Sequence, residues 1–383
     1  MASFVDLLSK RITNLTSIRE SAKRGHKPSA TQIAEIIKLR NGPSKLEASS
    51  YHWYALSNDA LYHDVDLTSF GGNTLKHWLH NRLNDVRWEG MVTDKLVLYG
   101  LFEQFGIPYP EVYAAACRFE RRFSGYPVVR SADALADLLR TGMTYPCFSK
   151  PVKGGSAIGA MRAEAYDATN DEIALSDGRR LSIQAFVDAL IDPTGFGFLF
   201  QEAVLAAEDT RTICGDAVSG VRFVMLRDDS GAYPFRVIWK VPRIHNHMDN
   251  YVKGKSGNMV ASVDRDTGRV VRVVSGAGID LRVNPPHPDT GAELVGMQLP
   301  GWNEALRAVT RAAEFFPGFR FQHWDVGLTS RGPVMYELNS VGDIDLVQIA
   351  DGKGVYDEEL RAFVQKYGNA NRASNFIEDA KLF

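Results

Sequence analysis

The chain has 383 residues, 45% of them hydrophobic and 23% charged, ordinary values for a soluble globular protein with room for two or three domains. A net charge of −2 supplies no basic field for nucleic acid or an anionic membrane, so neither is an expected partner. Three widely spaced cysteines, Cys117, Cys147 and Cys214, make no disulfide framework or paired metal spacing, and no apolar run approaches a membrane span.

The first residues lack the long apolar stretch and small-residue cleavage site of a secretory signal. Asp6 and Glu20 argue against a transit peptide, so a cytoplasmic protein is expected. Residues 1–90 read as helical: Phe4, Leu7, Leu8 and Ile12, then Ile33, Ile36, Ile37 and Leu39, fall near helical spacing. Tyr51, Trp53, Tyr54 and Leu56 look like a packing stripe. From Thr93 the pattern becomes α/β. Asp94 caps a helix that Gly106 closes, and 125–165 reads as strand, helix, strand, the second strand running from Pro146 to Lys150. Lys150 is followed by Pro151 and a loop carrying Gly154, Gly155 and Ser156. Such a loop lets backbone N–H groups approach phosphate oxygens, though a plain turn explains the glycines equally well.

An apolar strand then ends at Gln201 and Glu202, and 221–226 pairs by pattern with 235–241, bringing Arg222 and Lys240 onto strands. Residues 243–300 look like a long loop with short strands, within which His245 and His247 lack the further ligands a zinc site needs. A helix over 304–316 leads into a hairpin, 321–328 and 334–339, turning at Gly332-Pro333. Centring it on Arg331 sets Asp325 across from Glu337 and His323 across from Asn339, with Tyr336 and Leu338 on the other face. Opposed carboxylates destabilise a sheet unless something compensates. The arrangement suits a Mg²⁺ ion between hard oxygen donors, or simply an exposed polar face on an edge hairpin.

In this order the pieces resemble the ATP-grasp superfamily, and within it the sugar-transfer-associated branch related to α-L-glutamate ligases. The resemblance covers roughly residues 50 to 350 and rests on Asp94-Lys95, the Lys150–Gly159 element, Gln201-Glu202, Ser219–Arg222, Lys240 followed by Asp249-Asn250, and Trp324-Asp325 through Glu337 to Asn339. It implies an α+β fold in which two lobes clamp ATP, preceded by a helical N-terminal region. The implied division is a helical region 1–90, a pre-grasp segment 91–145, an N-lobe 146–200, a C-lobe 201–350 with the metal hairpin, and a C-terminal helix and tail 351–383. By the same resemblance Lys95, Lys150, Gly154, Gly155, Ser156, Gln201, Glu202 and Asp209 would bind ATP, with Asp209 or Glu208 at the ribose where the branch often has histidine. Asp325, Glu337 and Asn339 would hold Mg²⁺, and Arg222 and Lys240 would act on the reacting phosphate. Where the branch has glycine before the tryptophan, this chain has His323.

The implied activity is an ATP- and Mg²⁺-dependent carboxylate ligase that makes an acyl phosphate for capture by an amine or similar nucleophile. Residues 151–160 and 243–258 would be lids. The alternatives are a kinase on the same fold, with His323 or His287 as base, and a non-catalytic nucleotide-binding module. The partners would be small-molecule carboxylate and amine (or hydroxyl) substrates, and a homodimer is compatible with the reading.

Overall fold

The computed structural model describes residues 4–123, 125–154, 159–190, 197–246 and 248–368; Gly155, Ser156 and His247 lie outside them. Helices α1 (Phe4–Lys23), α2 (Ser29–Asn41), α3 (Ala48–Trp53), α4 (Asn73–Leu83), α5 (Glu89–Thr93) and α6 (Lys95–Phe105) come first. The expected cap starts α6: the Asp94 carboxylate accepts from the N–H groups of Leu96 and Val97, and left-handed Gly106 ends it.

A first sheet follows. It is built from β1 (Val112–Ala116), β2 (Val128–Val129), β3 (Cys147–Pro151), β4 (Met161–Asp167), β5 (Glu172–Leu175), β6 (Arg180–Ser182) and β7 (Phe198–Glu202), in the order β2-β1-β7-β3-β4-β5-β6. Helices α7 (Ala132–Thr141) and α8 (Ile183–Ala189) pack together and bury Leu135, Leu139, Phe186 and Val187 with Phe198 and Phe200.

After α9 (Glu208–Cys214) comes a second sheet of β8 (Gly220–Arg227), β9 (Ala232–Val241), β10 (Met259–Val263), β11 (Val270–Ser275), β12 (Arg282–Val283), β13 (Phe321–Thr329) and β14 (Gly332–Asn339). Their order is β12-β11-β10-β9-β8-β13-β14, antiparallel throughout. Helix α10 (Trp302–Glu314) covers one face through Trp302, Ala305 and Val309, against Phe223, Trp324 and Val326. On the other face Val224, Ile238 and Phe321 meet α4, α11 (Asp345–Asp351) and α12 (Glu358–Tyr367).

Side chains on a strand share a face at every second residue. The face holding Phe321, Val224 and Ile238 therefore continues into Asp325, Arg222 and Lys240. One sheet face is hydrophobic core under helices at one end and a charged wall at the other. That change of character positions the site.

The hairpin pairs Asp325 with Glu337 and His323 with Asn339, as the sequence suggests, but not by a loop centred on Arg331. The turn is the shorter Ser330-Arg331 between Thr329 and Gly332, and a bulge after Asp325 adds Tyr336 to the return strand. A two-residue turn and one extra residue compensate each other. The correction concerns Tyr336, which lines the same cleft as Glu337 and Asn339 rather than facing away with buried Leu338.

Candidate active site

Between the two sheets lies a cleft of about 1180 Å³, above the usual range for a single small ligand and roomy enough for two substrates. Its walls include Lys95, Lys150, Gly154, Gln201, Glu202, Arg222, Lys240, Asp325, Glu337 and Asn339. Helix α6, strands β3, β7, β8 and β9 and the hairpin thus converge on one space, from segments far apart in sequence.

Register explains the charged centre. Asp325 on β13 stands opposite Arg222 on β8, and they form a two-pronged ion pair, Nε to Oδ1 and Nη2 to Oδ2, each 2.8 Å. Lys240 lies 3.8 Å from Asp325 and 3.1 Å from Asp249. Burial alone would raise the Asp325 carboxyl, but Arg222 and Lys240 outweigh it and hold the group well below the usual carboxylate range. Burial likewise opposes the charges on Arg222 and Lys240. Asp325 keeps the guanidinium firmly protonated, and Asp249 with Asp325 lifts the Lys240 ammonium above its ordinary value.

On the opposite wall, the Lys95 ammonium donates to the Gly154 carbonyl at 2.7 Å and lies 3.4 Å from Glu337. Lys150 donates to the Tyr99 hydroxyl at 2.7 Å. Among the described residues no carboxylate lies within ion-pair distance of Lys150. Burial first and the Lys95 charge second draw its ammonium down to about 7. A cation this poorly compensated, beside a second one, is a place for an anion.

Asp325 and Glu337 supply carboxylate oxygens and Asn339 an amide oxygen, a hard donor set that suits Mg²⁺ completed by phosphate oxygens. The opposition of the two carboxylates is also relieved by protein cations, Arg222 on one and Lys95 on the other. Like-charge pairing in the hairpin therefore does not by itself demand a metal; the donor chemistry carries that part of the reading.

Gln201 and Glu202 end β7 at the cleft, followed by Ala203 and Val204 along its wall. The Glu202 carboxylate takes an ion pair from Arg331 at 2.7 Å and the N–H of Glu111 at 3.2 Å, which ties it to the hairpin turn and β1. Asp209 and Glu208 are exposed on α9 and outside the cleft lining. That removes the geometric basis for a ribose contact, which only the resemblance suggested. Segment 243–258 is well anchored for a lid: Arg243 pairs with Asp289, Asp249 accepts from Gly220 N–H at 2.9 Å, and buried Asn258 donates to the carbonyls of Met248 and Asn250.

His323 is fully buried between Phe321 and His80, with ring centroids 4.7 and 5.2 Å away, and does not line the cleft. Burial first, then the neighbouring His80 ring and the charge of Arg222, drive its basicity well below the ordinary value. His287 is buried against the Pro242 carbonyl, also away from the cleft.

Several features of the site escaped the sequence reading. Trp53 reaches the wall from α3, and Lys253 lies 5.3 Å over its ring. Asp343 and Asp345 also line the cleft, and burial first and Asp343 second push the Asp345 carboxyl up to about 7. Behind the cleft wall, buried Tyr99 sits inside an apolar helix pattern and holds Lys150.

The profile of the sugar-transfer associated ATP-grasp family matches residues 74–365. The chain belongs to that family. The matched span of this ATP-grasp chain takes in both sheets and the charged cleft, and helices α1 to α3 lie before it. No curated protein sequence matches the chain. Among solved structures, N5-carboxyaminoimidazole ribonucleotide synthetase from Thermotoga maritima matches at 13% identity and TM-score 0.33, over 66% of this chain and 42% of its own. The ATP-grasp ligase PsnB complexed with minimal precursor matches at 16% and 0.37, over 74% and 63%. D-alanine–D-alanine ligase from Bacillus anthracis matches at 11% and 0.39, over 75% and 70%. This ATP-grasp chain thus spans less than two thirds of the first two of these neighbours. Among the described residues no helix is long and apolar enough to cross a membrane.

Proposed function

We propose that the protein is an ATP- and Mg²⁺-dependent carboxylate ligase, forming an acyl phosphate that an amine or similar nucleophile then captures. The observation that carries this reading is the electrostatic layout of the cleft. Lys150 and Lys95 face Arg222 and Lys240 across a space that also holds two carboxylates and an amide oxygen. A triphosphate meets the cations, and Mg²⁺ held by Asp325, Glu337 and Asn339 would neutralise charge on its oxygens.

Lys150 and Lys95 take the inner phosphates, near the Gly154 turn. Arg222 and Lys240 stand beside the metal hairpin, where the γ-phosphoryl group passes to a carboxylate oxygen of the substrate and ADP leaves. The nucleophile then adds at the acyl carbon, phosphate departs, and the nucleophile's proton is lost. Catalysis of this kind is positioning and electrostatic stabilisation, so the cleft requires no nucleophilic side chain. Adenine lies against the end of β7, at Gln201 through Val204. The part of the wall carrying Trp53, Lys253, Asp343 and Asp345 is left for the acceptor.

The kinase alternative needs a base at the acceptor, and neither His323 nor His287 lines the cleft. The discriminating experiment incubates the protein with ATP, Mg²⁺ and a panel of carboxylic acids, with hydroxylamine as trap. A ligase yields acyl hydroxamate in step with ADP and phosphate. A phosphorylated hydroxyl product with no condensation overturns the ligase reading.

A further inference from the structure

Of the four cations assigned to the phosphates, three have carboxylate partners: Arg222 with Asp325, Lys240 with Asp249, and Lys95 with Glu337. Lys150 is held instead by a neutral group, the Tyr99 hydroxyl at 2.7 Å. A lysine ammonium sits on a flexible four-carbon stem and loses rotamer freedom wherever it is fixed. A carboxylate would fix it but cancel its charge and compete with any incoming anion. A hydroxyl fixes it and leaves the charge available.

The Tyr99 hydroxyl suits this task. It has one proton to donate and two lone pairs to accept with. The proton faces two acceptors, the Tyr336 carbonyl at 3.1 Å and Gln201 Oε1 at 3.3 Å, which leaves a lone pair for Lys150. Burial first and the charge of Glu337 second push the phenol well above its ordinary value, so the proton stays on. The ring is anchored by Phe102 and Tyr109, at centroid distances of 5.8 and 5.1 Å, and only 1% of the residue is exposed. The Lys150 ammonium also lies 5.1 Å from the Tyr99 ring centroid and 5.9 Å from that of Tyr336.

We propose that Tyr99 is a positioning residue for the nucleotide. Its hydroxyl holds Lys150 toward the phosphates and ties that lysine to Gln201 at the end of β7 and to the backbone of Tyr336 in the metal hairpin. Adenine end, phosphate lysine and metal strand are thereby joined through one hydroxyl. The inference rests on the reading of the cleft as an ATP site.

The test is calorimetric titration of the full chain with Mg²⁺ and the non-hydrolysable β,γ-imido analogue of ATP. The proteins are the wild type, Tyr99→Phe, Lys150→Met and the double variant. Tyr99→Phe keeps the ring and its packing, and loss of a hydrogen bond to a charged group should weaken binding about tenfold. Because Tyr99 acts through Lys150, adding Tyr99→Phe to Lys150→Met should change affinity by less than about twofold. A second readout is the pH dependence of affinity, whose midpoint should move to lower pH in Tyr99→Phe because the ammonium has lost its acceptor. This midpoint would not move if the hydroxyl merely supported the fold. Single-variant losses that add in the double variant overturn the proposal, as does Tyr99→Phe binding like the wild type while Lys150→Met binds weakly. If Lys150→Met itself binds as tightly as the wild type, the assignment of Lys150 to the phosphates fails, and the Tyr99 proposal with it; if the wild type does not bind the analogue, the ATP-site reading fails instead.

Discussion

Replacing Arg222 by methionine should expose how the charged wall is balanced. Both members of the Arg222–Asp325 pair are nearly enclosed, with side chains 12% and 13% exposed, and they share two 2.8 Å hydrogen bonds. Removing one partner leaves a carboxylate buried beside hydrophobic core, with Lys240 at 3.8 Å as its nearest remaining cation. Breaking a buried pair in this way costs about 3–5 kcal/mol, and the structure points to the lower end because Lys240 still compensates in part. The pH dependence gives the sharper test. In the wild type the Asp325 carboxyl is held below its unfolded value, so its contribution is present above that value and is lost as pH falls through the folded one. In Arg222→Met burial raises the carboxyl instead, so protonation relieves the strain and the deficit should shrink on acidification. Urea unfolding of both proteins at pH 7.5 and about pH 5 measures this. Arg222→Met combined with Asp325→Leu should lose less than Arg222→Met alone, because no unpaired charge remains. A single-variant loss under about 1 kcal/mol, or a deficit that grows on acidification, would refute the reasoning.

The same logic reaches the opposite wall and the buried histidine. With Lys150 drawn down to about 7, nucleotide affinity should fall as pH rises above that value, by up to tenfold per unit. The sign follows because the phosphates favour the protonated lysine and binding then takes up a proton. Calorimetry between pH 6.5 and 9 checks it, and a flat profile contradicts it. At Gly342 an added Cβ would lie 1.9 Å from Cγ of His323, so Gly342→Ala should destabilise by about 1–3 kcal/mol. His323→Gly removes the colliding atoms, and the double variant should lose less than the sum of the two. Additive losses in denaturant unfolding would show that the two sites are not coupled.

Much of this site is visible in the chain because local rules act at its parts. Asp94 is a good cap, Gly106 a good stop, and alternation along 321–328 puts Asp325 and His323 on one face of a strand. The hairpin shows the limit of such rules, since its correct pairs at Asp325 and His323 depend on a bulge at Tyr336 that alternation does not announce. Roles that depend on long-range packing were hidden. Tyr99 reads as one more apolar position on α6 until β3, β7 and β14 bring it three polar partners. Trp53 reads as core in an aromatic stripe because its neighbours Tyr51 and Tyr54 are core, and only the docking of α3 turns it to the cleft. Asp209 has no local feature separating a ligand contact from a helix-start acid, and in the structure it is exposed on the first turn of α9.

The account turns on the hairpin as the place where nucleotide and Mg²⁺ meet the chain. Its most direct test is titration of the wild type and Glu337→Gln with the β,γ-imido analogue, with and without Mg²⁺. The account predicts that Mg²⁺ tightens binding to the wild type at least about tenfold and has little effect on Glu337→Gln. Equal Mg²⁺ dependence in the two proteins would contradict it.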